Sequence, residues 1–180
     1  MKNFLFILTT CICLAACKKH HNQPKADNPY GLPNATQIGK NTLGFLLNGK
    51  PWTPQGFNGT ANLSLYYDET FQNGVFNLSA YKILNTQGQR QKINLYGDFV
   101  QGTGNIVLPN PTKFGVVFKD DVSGCDYYES DSSTQITNGY FNIKKLDKVN
   151  KIFSAEFEFT ITKKGCPDIQ ITYGRFDMHY

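Results

Sequence analysis

Histidine limits the chemistry open to this sequence. It occurs three times in 180 residues. His20 and His21 stand together in a polar N-terminal stretch, and a metal site there lacks a fixed third ligand. That leaves His179, beside the C-terminus, as the one imidazole around which a Ser-His-Asp or Cys-His set could be built. No Gly-x-Ser-x-Gly turn accompanies it, and neither a His-Glu-x-x-His helix nor a glycine-rich phosphate loop is present. Its parity, opposite to Phe176 and Met178, predicts an exposed surface histidine.

Carboxylates are the next candidates. Glu156 and Glu158 share one face of a strand about 7 Å apart, where solubility explains them as well as acid catalysis does. Asp120, Asp121, Asp126, Glu129 and Asp131 form the densest acidic segment. Their spacing matches no calcium loop, so no metal or other cofactor is expected. Aromatics carry the stronger binding hypothesis, because Tyr and Trp join a flat apolar face to a polar tip suited to sugar rings and interfaces. Trp52, Tyr66, Tyr127 and Tyr128 are the candidate ligand-binding residues, with Tyr140 in reserve. Core packing competes for each, above all for Trp52, which follows a hairpin.

Cysteine usage points to export. Lys2, the apolar run Phe4 to Ile12 and the tetrapeptide Leu14-Ala15-Ala16-Cys17 form a short secretory signal with a small-residue cleavage site. Ending in cysteine, that site looks like a bacterial lipobox, which implies cleavage before Cys17 and diacylation of its sulfur. The expected divisions are a signal peptide at residues 1–16, a lipidated Cys17 with a flexible tether through residue 37, and a single domain at residues 38–180. Lys18 to Pro29 is polar and proline-containing, as a tether should be. Cys125 and Cys166 remain in the body, an even pair in an oxidising compartment; a disulfide and two buried thiols are both open.

Positioning any of these residues falls to β structure. Aromatics make up 14% of the chain and charged residues only 18%, a balance that favours strands. Net charge is +4 with the charges interspersed; without a basic stripe, nucleic acid is not an expected partner. Asn48-Gly49 marks a hairpin whose return, Lys50 to Pro54, is confined by two prolines to a sheet edge. Strands are expected at Leu63 to Tyr67, Val75 to Ile83, Lys92 to Val100, Phe114 to Phe118 and Ile136 to Lys144, with a longer loop from Gly102 to Pro111. From Phe153 to Thr162 odd positions are apolar and even ones polar, predicting one buried and one wet face. In the last segment Ile169, Ile171 and Tyr173 keep odd parity while Phe176, Met178 and Tyr180 keep even parity. One extra residue inverts a strand's facing, so a bulge is expected at Gly174 to Arg175. Nine or ten strands without a convincing amphipathic helix give an all-β, antiparallel β-sandwich, with a partly open β-barrel as the alternative.

Leu32-Pro33-Asn34-Ala35-Thr36-Gln37, followed by Asn41-Thr42-Leu43-Gly44 and Asn48-Gly49, resembles the start of small Bacteroidetes-type lipoproteins of unknown function. Leu146-Asp147-Lys148, Ser154 to Phe159 and Thr172 to Met178 resemble that family's closing strands. The resemblance implies a secreted, lipid-anchored β domain and carries no catalytic residues. Lys18-Lys19 after Cys17, in place of an acidic cluster, leaves periplasmic and surface facing both open. The expected function is a non-catalytic, outer-membrane lipoprotein that binds a glycan or an envelope protein. A carboxylate-dependent carbohydrate hydrolase and a purely structural envelope protein are the alternatives.

Overall fold

Alternating apolar residues pair into eleven strands among the described residues: β1 (Thr42–Leu47), β2 (Lys50–Trp52), β3 (Leu63–Asp68), β4 (Val75–Ile83), β5 (Arg90–Gly97), β6 (Gly104–Leu108), β7 (Gly115–Asp120), β8 (Tyr127–Glu129), β9 (Thr134–Asp147), β10 (Ile152–Lys163) and β11 (Ile169–His179). The computed structural model describes residue 28 and residues 30–129 and 134–180. The expected signal segment, Cys17 and Asp131 lie outside them. Two antiparallel sheets, ordered β2-β1-β11-β10-β9-β6 and β3-β4-β5-β7-β8, pack face to face. Both sheets stay open at their edges, so the fold is a β-sandwich and the barrel alternative is set aside. Asn48 and Gly49 take φ of 48° and 79°, the left-handed pair that a two-residue hairpin turn requires, and β2 is an edge strand as its prolines demand.

Aromatic rings fill the space between the sheets. Phe141 of β9 stacks on Phe76 of β4 at 5.2 Å between ring centres and also meets Phe114, Phe157 and Phe176. Each such ring removes on the order of 150–250 Å² from water, which dominates the stability of the sandwich. Cys125, in the loop between β7 and β8, is bonded to Cys166 in the β10–β11 turn, with Cα atoms 5.8 Å apart. This bridge links the two sheets and resolves the choice between disulfide and thiols.

Several boundaries differ from expectation. β6 lies inside the segment expected to be loop; it is a five-residue edge strand between a glycine and a proline, too short for its alternation to stand out. β8, three residues long, sits within the acidic segment. Expected to run to Val100, β5 ends at Gly97, and Phe99 follows with φ of 59°.

The bulge falls slightly earlier than expected. Phe157 pairs with Gly174 and Phe159 with Ile171, while on the other side Gly44 pairs with Arg175 and Leu46 with Thr172. β11 therefore carries one residue more than either neighbour, at Thr172 and Tyr173, and Tyr173 takes φ of 53°. Gly174 cannot be the extra residue, because it lies flat under Phe157. A Cβ there would come within 2.3 Å of that ring and 2.6 Å of the Phe157 carbonyl oxygen.

After the bulge, Arg175 and Asp177 belong to the outer face, and both grip the N-terminal segment. Arg175 Nε donates to Pro33 O (2.7 Å) and Nη2 to Asn28 Oδ1 (2.9 Å). Asp177, 1% exposed, accepts from Thr36 Oγ1 (2.5 Å) and from the backbone amides of Ile38 (3.0 Å), Gly39 (2.8 Å) and Lys40 (3.2 Å). Asn28 and Leu32 are buried, and Ala35 to Gln37 lie over Ser154. The expected tether through residue 37 is thus corrected: the chain is docked on the sheet from Asn28 onward. Ser154, expected on a wet face, is buried for the same reason.

Burial raises the Asp177 pKa, but the Thr36 hydroxyl and three amide hydrogen bonds outweigh it and hold the carboxyl below its ordinary value. Such a group stabilises the fold above the unfolded carboxylate pKa of about 4, and the contribution disappears as pH falls through the lower folded value. Asp177→Asn is expected to lower stability by about 2 kcal/mol at pH 7, with the gap from the parent closing as pH falls below about 4. Urea unfolding of both chains across that range checks it; a gap independent of pH contradicts the assignment.

Candidate functional site

The sequence-selected aromatics do not gather in one place. Trp52 is 2% exposed, stacks on Phe45 at 4.7 Å between ring centres, and donates from Nε1 to Gln91 Oε1 (2.9 Å). Gln91 belongs to the opposite sheet, so this indole ties the two sheets together and is closed to a ligand. Tyr128 is likewise buried, its hydroxyl donating to Pro167 O (2.9 Å). Tyr66 and Tyr127 are exposed, as an alternating strand requires of one member of each adjacent pair. They occupy β3 and β8, the two edges of the five-stranded sheet, about 19 Å apart across four strand spacings. Tyr66 bonds to Asp68 and Tyr127 to Glu129 within their own strands. The four residues therefore cannot surround one small ligand.

A different aromatic row crosses the outer face of the six-stranded sheet. Val107 of β6 pairs with Tyr140 of β9, and Tyr140 with Glu158 of β10. The bulge then brings Tyr173 of β11 alongside, its amide donating to Glu158 Oε1 at 3.1 Å. Tyr30 of the docked segment completes the row, its ring centre 5.0 Å from that of Tyr173. Register places Asn105, Asn142, Glu156 and Arg175 on one side of this row and Asn138, Thr160 and Gln170 on the other. Tyrosine rings flanked on one side by amides and a hydroxyl, and on the other by two amides with Glu156 and Arg175, can meet a sugar chain, itself apolar on its ring faces and polar at its rim. Beside the row runs an open groove of about 360 Å³ that includes Asn138, Tyr140, Glu158, Thr160, Gln170 and Thr172.

Tyr173 is the informative member. A bulky residue at positive φ is held there against a conformational cost of about 1–3 kcal/mol, and such strain concentrates at binding and catalytic sites. Hydrogen bonding and charge interaction with Tyr30, then burial and Glu158, raise the Tyr173 pKa; burial, then Glu158 and Glu156, raise that of Tyr140. Both phenols keep their protons at neutral pH and serve as donors. Sequence reading named Tyr140 and Glu158 but passed over Tyr30 and Tyr173. The parity switch in β11 was the available signal, but with the bulge expected at Gly174 to Arg175 Tyr173 was grouped with the odd set of Ile169 and Ile171.

The remaining candidates are engaged structurally. Glu156 pairs with Lys144 at 3.3 Å. Asp120 accepts from Gln91 Nε2 (2.7 Å), and Asp121 accepts from the Arg90 amide and pairs with Lys119 at 3.1 Å. Asp147 caps the β9–β10 turn, where hydrogen bonds from the Asn150 side chain and amide, joined by Lys145, hold its carboxyl down to about 2. His179 is exposed, its ring lying over Gly39. Among the described residues no group of three His, Cys, Asp or Glu is arranged to hold a metal ion. A concavity of about 670 Å³ opens between β1, β3 and the C-terminus; its lining has neither an Asp or Glu nor an aromatic row.

No protein-family model, curated protein or solved structure matches the chain.

If Tyr173 is kept strained for binding, glycine should relieve the backbone while removing the ring. Tyr173→Gly is expected to leave stability unchanged or raise it by up to about 1 kcal/mol. Thermal unfolding of the variant measures this. A loss above about 2 kcal/mol means that the ring is needed for packing.

Proposed function

We propose that this chain is a lipid-anchored β-sandwich of the bacterial outer membrane that binds a glycan, without catalysis, on the outer face of its six-stranded sheet. The observation that carries the proposal is the strained Tyr173 completing a row of aromatic side chains between two polar rows. Three strand spacings make the row about 14 Å long, room for more than one sugar ring. Binding is favoured over hydrolysis because Glu156 and Glu158 project from one strand to the same side. Glycoside hydrolysis needs two carboxyl groups facing each other across the bond.

Support for the anchor comes from the lipobox-like Leu14-Ala15-Ala16-Cys17 and from the use the fold makes of Leu32 to Gln37. That segment, which carries the resemblance to Bacteroidetes-type lipoproteins, is fastened by Arg175 and Asp177. With docking beginning at Asn28, the eleven peptide links back to Cys17 allow a separation of at most about 40 Å. The domain is then held close to the bilayer.

Two experiments test this. The full chain in a sugar-free zwitterionic detergent, applied to a glycan array, is expected to bind a defined set of glycans, with binding at least tenfold weaker for Tyr140→Ala; an array without specific binding rejects the glycan assignment. Labelling growing cells with a fatty-acid analogue is expected to mark the parent and not Cys17→Ala. Equal labelling of the two rules out the anchor.

A further inference from the structure

Glu158 has no cationic partner among the described residues, whereas Glu156, two residues away on the same strand face, pairs with Lys144. Cross-strand neighbours of a charged residue in a sheet are commonly of opposite charge. Glu158 instead faces Tyr140 on one side and Tyr173 on the other. Its Oε1 accepts the Tyr173 amide, and no described residue donates to Oε2. The half-buried Glu158 side chain therefore stands in the middle of the row, at the edge of the groove, between Tyr140 of β9 and the Tyr173 backbone of β11.

A neutral sugar can meet this acceptor with a hydroxyl, but it brings no charge to offset the desolvation of the carboxylate. An ammonium group supplies that charge. It donates a charge-assisted hydrogen bond to Oε2, and its positive charge offsets that of the carboxylate. The neighbouring amides of Asn138 and Gln170 and the hydroxyl of Thr160 remain for the hydroxyl groups of a sugar ring.

We infer that the glycan recognised at this row bears a free amine, an amino sugar whose ammonium group sits against Glu158 between Tyr140 and Tyr173. The inference rests on the glycan-binding proposal for the same face and narrows it to a chemical class.

The test uses two hexamers of β-linked glucosamine, one with free amines and one fully N-acetylated, titrated calorimetrically into the full chain and into Glu158→Gln. Glutamine keeps an oxygen for the Tyr173 amide and so preserves the bulge. The free-amine hexamer is expected to bind the parent at least tenfold more tightly than the acetylated one, with a preference that shrinks as salt is raised and vanishes in Glu158→Gln. Equal affinity for the two hexamers, preference for the acetylated one, or a preference unchanged in Glu158→Gln overturns the amine assignment and leaves glycan binding standing. Failure of both hexamers also overturns it, and a glycan array then decides separately whether the face binds sugars at all.

Discussion

One extra residue in β11 governs the outer surface of this protein. Without it, a strand with Ile169 and Ile171 facing inward would turn Arg175 and Asp177 into the aromatic core and Phe176 and Met178 out to water. Burying an unpaired carboxylate costs several kcal/mol, and each exposed large apolar side chain forfeits roughly another 2 kcal/mol. With the extra residue, both halves of the strand bury their apolar members. The remainder, Thr172 and Tyr173, is left side by side on the outer face, opposite a single Glu158.

The docked segment and the aromatic row are both consequences of that insertion. Arg175 and Asp177 are aimed outward, where they fasten residues 28–40, and the fastened segment supplies Tyr30 to stack on Tyr173. Glu158 steadies the bulge through the Tyr173 amide and is itself drawn into the row. The described pairings of the opposite sheet contain no register shift, and on its outer face Tyr66 and Tyr96 flank Asn77 while Tyr127 lies at the far edge.

Much of the sandwich was legible because its signals are local. Period-two alternation in β10, the Asn48-Gly49 turn and the prolines of the edge strand each act over a few residues, and the parity switch announced the bulge to within two positions. What escaped depends on long-range contact. Trp52 and Tyr128 stayed open between ligand binding and core packing because nothing nearby in sequence reveals Gln91 or Pro167 as partners for their polar tips. Asn28 to Gln37 read as tether because its polar, proline-containing composition is that of a linker, and its anchors lie about 140 residues away, at Arg175 and Asp177. The aromatic row assembles residues from four strands and the docked segment, a juxtaposition that sheet order alone creates.

The central claim is that the bulged face of the six-stranded sheet is the binding surface. Titrating the isotopically labelled chain with an array-selected glycan while following backbone amide shifts by NMR tests it most directly. The account predicts saturable shifts at Tyr30, Tyr140, Glu158, Gln170 and Tyr173, with Tyr66 and Tyr127 unmoved. Shifts centred on Tyr66 and Tyr127, or on the cleft beside Asn62 and His179, would contradict it.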